Sequence, residues 1–147
     1  MKNTILYLII LFAFSRCSDF AIKKKIIDNY YIVAGDDDAD ATLSYHASKP
    51  KDTYGGTLFG GAIIEATVFA AGYNDNYIIA KQHPRVFPNP PNKSITNYYI
   101  LPLKKEMNWR TKNGLIGPLT LEQFNKQRKK LGIGDGVTFT TVIHEFE

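Results

Sequence analysis

The sequence predicts an α+β fold, an antiparallel sheet of five or six strands with one helix from the C-terminal half packed on a face. Three observations lead there. Runs beginning at Asn29, Asn76 and Asn97 each follow the turn-forming Asn with aromatic and β-branched residues (Tyr30-Tyr31-Ile32-Val33, Tyr77-Ile78-Ile79, Tyr98-Tyr99-Ile100-Leu101), which is how a strand begins. Clusters of Asn, Asp, Gly and Pro punctuate the chain at hairpin spacing. One capping pattern, at Thr120, opens a helix. The three runs lie 47 and 21 residues apart, so no fixed repeat period exists. No βαβ rhythm appears, which argues against a Rossmann-like nucleotide fold.

Taken in order, Asn29 to Val33 and Thr42 to Ala47 flank the acidic turn Asp36 to Asp40 and should pair, the second run alternating Leu43 and Tyr45 with Ser44 and His46. Ala62 to Gly72 reads as one long apolar strand, turned back by Tyr73-Asn74-Asp75-Asn76 into Tyr77 to Lys81. Pro84, Pro88, Pro90 and Pro91 cannot donate ladder hydrogen bonds, so His83 to Lys93 is an extended surface loop, and Asn97 to Leu103 returns to the sheet. In the helix, Thr120 and Gln123 form the capping box and Gly132 supplies the stop. Leu121, Phe124, the stem of Arg128 and Leu131 share the face that meets the sheet. Val137 to Ile143 alternates β-branched and aromatic residues as a last strand.

Upstream of these elements the pattern is an address. Lys2 precedes ten apolar residues, Ile5 to Phe14, and Ser15, Arg16 and Cys17 follow, the layout of a secretory signal peptide. Ten residues of helix cover ~15 Å, about half a hydrocarbon core, too short for a permanent span. The expected organisation is a leader over 1–16, a tether over 17–28 that includes Lys23, Lys24 and Lys25, and a single domain over 29–147. Cys17, the only cysteine among 147 residues, rules out an internal disulfide or a thiolate zinc cluster. Its place after the leader resembles the lipobox of bacterial lipoproteins, in which this thiol is acylated. Ser15 fits that pattern, while Phe14 and Arg16 depart from its usual small residues. Losing Lys2 and Arg16 with the leader leaves sixteen basic residues against fourteen acidic, and with them goes the compositional case for nucleic-acid binding.

Candidate chemistry is sparse. Asp36, Asp38 and Asp40 occupy the first, third and fifth places of an EF-hand-like loop, but Ala41 stands where its Gly is needed and Ala47 where its bidentate Glu belongs. A calcium-stabilised module is one alternative, and a charged hairpin tip is the simpler reading. Gly55-Gly56 and Gly60-Gly61 bracket Leu58-Phe59 without the lysine of a phosphate loop. His46, His83 and His144 fall in separate elements with no metal spacing and read as surface or edge histidines. Glu65 with His46 or His83 could make a hydrolase only if folding assembled them, a second alternative. No serine lies in a nucleophile elbow. The loop aromatics Phe59, Phe87 and Trp109, the last among Lys104, Lys105, Arg110 and Lys112, are the candidate partner contacts.

Cys17, Asn29-Tyr30-Tyr31-Ile32 with its Gly35-Asp36-Asp37 turn, Tyr77 to Gln82, and Gly117-Pro118-Leu119-Thr120 leading to Phe124 and Leu131-Gly132-Ile133 together resemble small bacterial lipoproteins of a domain-of-unknown-function family. The resemblance covers most of residues 17–134. It implies export and a cell-envelope location, and it transfers no catalytic residue. The expectation is a membrane-anchored envelope protein, non-enzymatic and without a cofactor, that binds an unidentified protein or small ligand.

Overall fold

The computed structural model describes residues 20–46, 59–105, 107–108 and 110–147, with only the backbone of Phe59 and Gly60. Among these residues nine strands form two antiparallel sheets. The first runs β1 (Ile22–Ile27), β2 (Tyr30–Ala34), β3 (Thr42–His46), β4 (Phe59–Ile64) in spatial as in chain order. The second has the order β8 (Ile116–Leu119), β7 (Asn97–Pro102), β6 (Tyr77–Gln82), β5 (Val68–Tyr73), β9 (Thr141–Val142). Helix α1 (Leu121–Lys130) follows β8.

Two sheets replace the single sheet of five or six strands that the sequence predicts, and the apolar run Ala62 to Gly72 is where they part. Its first half is β4 in one sheet and its second half β5 in the other. Glu65-Ala66-Thr67 makes the corner. Tertiary bonds hold it there: Thr67 exchanges both backbone bonds with His83 at 2.8 and 3.0 Å. The Thr67 hydroxyl donates to Ala39 O, and the Gln82 amide donates to Ala66 O at 2.8 Å. The hairpins β2–β3 and β5–β6 pair as expected.

Residues 22–27, assigned to the tether by sequence, are instead an edge strand. Ile22 and Ile26 enter the core while Lys23, Lys24 and Lys25 face solvent, and Lys24 Nζ reaches Val142 O at 2.7 Å. Lysines along an edge discourage pairing with a foreign strand. Val137 to Ile143 shrinks to the two-residue β9.

The layers explain why β6 and β7 read as unbroken apolar runs. Ile78, Ala80 and Leu101 join the core between the sheets, with Ile32, Leu43 and Ile64 from the first sheet. The alternate residues Ile79 and Ile100 point the other way, into a second core with Phe124 and Ile133. A sheet buried on both faces loses the polar half of its alternation. The helix therefore covers the outer face of the second sheet, and the described residues form three layers. Thr120 caps α1 through the anticipated box with Gln123. Phe124 is the residue that α1 buries, whereas Leu121, expected to face the sheet, is 54% exposed.

Buried Asn113 pins the long segment after β7 to the first sheet. Its side-chain amide donates to Tyr30 Oη at 3.1 Å and its carbonyl accepts from Asn108 N at 2.8 Å. Desolvation, then the neighbouring Tyr45, pushes the Tyr30 phenol above its ordinary value of 10.0; Tyr99 is raised in the same direction, first by desolvation and then by Glu65. A pKa raised by folding means stability that is complete below pH 10 and lost as pH climbs through the folded values. Urea melts between pH 8 and pH 11.5 should therefore show stability falling above about pH 10. Tyr30→Phe should cost about 1 kcal/mol at neutral pH and flatten that fall.

Candidate functional site

Residues 83–96 join β6 to β7 at one end of the sandwich, and four prolines fix much of their backbone. The root is His83, 4% exposed. Its ring stacks on Phe69 at a centroid distance of 4.2 Å. Its Nδ1 lies 2.7 Å from Ile95 O and its Nε2 3.0 Å from Phe146 O. The ring thus sits between a carbonyl of the loop and one of the C-terminal segment, and its single neutral N–H donates to one of them. Asn97 Nδ2 donates to Gln82 Oε1 at 2.8 Å across the loop's base. Asn92 N donates to Pro84 O and Asn89 N to Val86 O, both at 2.9 Å.

Arg85 is the clasp. Its side chain is 5% exposed; Nε donates to Asn89 O at 2.9 Å, Nη1 to Asp40 Oδ1 and Nη2 to Asp37 Oδ2, both at 2.7 Å. Asp37 also caps the short 3-10 turn at Asp38–Asp40 by accepting from Ala39 N at 2.9 Å. That backbone bond first, and Arg85 second, hold its carboxyl below the ordinary 3.8. The clasp accordingly persists above pH 3.8 and loosens as pH falls through the lowered value. Replacing Arg85 with Ala should make the amides of Val86 to Asn92 exchange much faster with solvent deuterium while core amides keep their protection.

Held in this way, Val86 and Phe87 stand 75% and 77% exposed, with the Arg85 guanidinium 5.9 Å from the Phe87 ring. Two large apolar side chains are thus displayed on a loop whose backbone has already lost much of its conformational entropy. The prolines around Phe87 mark it in the sequence as a residue of an exposed loop. Val86 and Arg85 were missed, because the partners of Arg85 lie 45 and 48 positions away.

The other candidates disperse. Phe59 begins β4 opposite His46, and the register of Leu43 with Ile64 puts that pair at the end remote from the 65–67 corner; the Phe59 side chain lies outside the described residues. So do Trp109 and Cys17. Pro102, the last residue of β7, lies opposite Tyr77 at that same remote end. Phe87 therefore stands at the opposite end from the start of β4.

No hydrolase centre assembles from Glu65, His46 and His83. Glu65 is exposed at the corner, His46 sits at the far end against Tyr31, and His83, far from being a surface histidine, is buried with each ring nitrogen facing a backbone carbonyl. The calcium reading loses Asp40, whose carboxylate is occupied by a guanidinium that repels a cation. Among the described residues no three His, Cys, Asp or Glu are grouped to hold a metal. Among them, too, no helix is long and apolar enough to cross a membrane.

What these features define, among the described residues, is a two-sheet α+β domain with one helix, presenting a stapled apolar loop. Residues 27–143 match the family described as "Protein of unknown function (DUF3997)", and the chain belongs to that family. No curated protein and no solved structure matches it.

Proposed function

We propose that the chain is an exported, lipid-anchored protein of the cell envelope that acts as a non-enzymatic interaction module through Val86 and Phe87. One observation carries this reading: two large apolar side chains are displayed to solvent on a loop that Arg85, His83 and internal backbone bonds hold in place. A catalytic loop would aim polar groups inward, whereas this one aims carbon outward.

The anchor rests on the leader and Cys17, and the fold is compatible with it. Ala21 N bonds to Gly35 O at 2.8 Å, so the chain enters the domain beside the acidic turn that Arg85 grips. Three residue steps separate Phe20 from Cys17, a reach of ~11 Å at most. An acyl chain there holds this end of the sandwich toward the bilayer.

Feeding cells a radiolabelled fatty acid tests the anchor. Label and membrane fractionation should both be lost in Cys17→Ala and kept in Phe87→Ala. Pull-down after crosslinking tests the module: Phe87→Ala should stay on the membrane but lose its adducts. A Cys17→Ala chain that remains labelled, or adducts indifferent to Phe87, would overturn the corresponding half.

A further inference from the structure

We infer that the surface received by Val86 and Phe87 is that of a basic protein with an apolar pocket, and not the lipid bilayer; this rests on the contact-module reading above. The ground is the charge around the knob. On one side lies the turn 36–40, gripped by Arg85. On the other lies the C-terminal segment, where Lys93 Nζ meets Glu145 O at 2.6 Å. These segments carry six carboxylates, on Asp36, Asp37, Asp38, Asp40, Glu145 and Glu147, the last of them 2.9 Å from His144 Nδ1, and the loop itself carries the cations of Arg85 and Lys93. Both cations are already engaged. Among the described residues neither Asp36 nor Asp38 is paired with a cation. The apolar knob thus stands on a loop bonded to two acidic segments.

Magnitudes decide between the two occupants. Near an anionic leaflet each like charge weakens adsorption about fivefold, so a surplus of four carboxylates costs roughly two to three orders of magnitude. Burying what Val86 and Phe87 expose gains roughly two to three orders of magnitude. The two effects cancel against a bilayer. Against a protein surface with lysines or arginines around a pocket they add, because the acidic segments steer and orient while the apolar pair supplies the buried centre.

The test uses the full chain reconstituted in vesicles of phosphatidylcholine and phosphatidylglycerol, with a photoreactive phenylalanine analogue in place of Phe87. Synthetic peptides of equal length, Lys/Leu, Glu/Leu and Lys/Ser, are added, and the adducts are identified by mass. The Lys/Leu peptide should be captured about tenfold more than either of the others. That preference should shrink in the exposed-site variant carrying Asp36→Asn and Asp38→Asn, and with rising salt. Predominant lipid adducts would overturn the proposal. Equal capture of Lys/Leu and Glu/Leu peptides would overturn it too while leaving the contact-module reading intact. Adducts with neither peptide nor lipid would remove both, and the acyl mass on Cys17 in the same sample reports the anchor separately.

Discussion

Replacing Phe124 with alanine is expected to lower stability by about 3 to 5 kcal/mol, a large share of the ~5 to 15 kcal/mol that holds a domain of this size together. Phe124 is the buried residue of α1. Its ring lies 5.0 Å from that of Tyr98 and 6.2 Å from that of Phe139, with the Arg128 guanidinium 5.6 Å from its centroid. The second core is small, Ile79, Ile100, Phe124 and Ile133 with partly buried neighbours, so it has little with which to refill the hole. Removing the ring detaches the helix from the sheet instead of leaving a cavity within a large core. Thermal melts should show a fall of roughly 15 °C. Phe124→Leu should recover much of it, and Leu121→Ala, on the exposed face, should change stability by less than about 0.5 kcal/mol.

The second large effect is expected at Gly72, in the middle of the second sheet. A Cβ there would stand 1.8 Å from Thr138 O and 2.8 Å from Thr138 C. Both are backbone atoms, so no rotamer change relieves the contact. The segment that leads into β9 would have to move away from β5 and break the pairing of Ala70 with Val142 and Ala71 with Thr141. Gly72→Ala should cost about 3 kcal/mol or more. Gly136→Ala, where a Cβ meets nothing within 4 Å, serves as the control. Urea unfolding of the two variants should separate them clearly, and similar midpoints would mean that residue 138 does not approach β5.

Much of the fold is legible because local signals and tertiary demands coincide. Asn-led aromatic runs become β2, β6 and β7, and Thr120 caps its helix because hydroxyl and amide lie three residues apart. The failures fall where tertiary contacts override the local pattern. Nothing in Ile63-Ile64-Glu65-Ala66-Thr67-Val68 breaks a strand. The corner exists because Thr67 finds Ala39 and His83, 28 and 16 positions away in sequence. Three consecutive lysines hide β1, since an edge strand needs only Ile22 and Ile26 to hold it. β8 is hidden by Pro118, acceptable on an edge, and by Gly117, where φ is +141° and a Cβ would lie 2.4 Å from the Tyr99 ring. At the site, proline spacing announces an exposed Phe87. The clasp that makes the exposure permanent depends on carboxylates in a turn of the other sheet.

The most direct test of the account is photocrosslinking in intact cells from two positions at opposite ends of the sandwich. One is Phe87. The other is Tyr73, which ends β5 and is 44% exposed. Specific adducts should form from position 87, disappear with Arg85→Ala as the loop loses its clasp, and be absent from position 73. Equal adducts from both positions, or adducts from position 87 that survive release of the clasp unchanged, would contradict the claim that this chain acts through a rigidly displayed apolar loop.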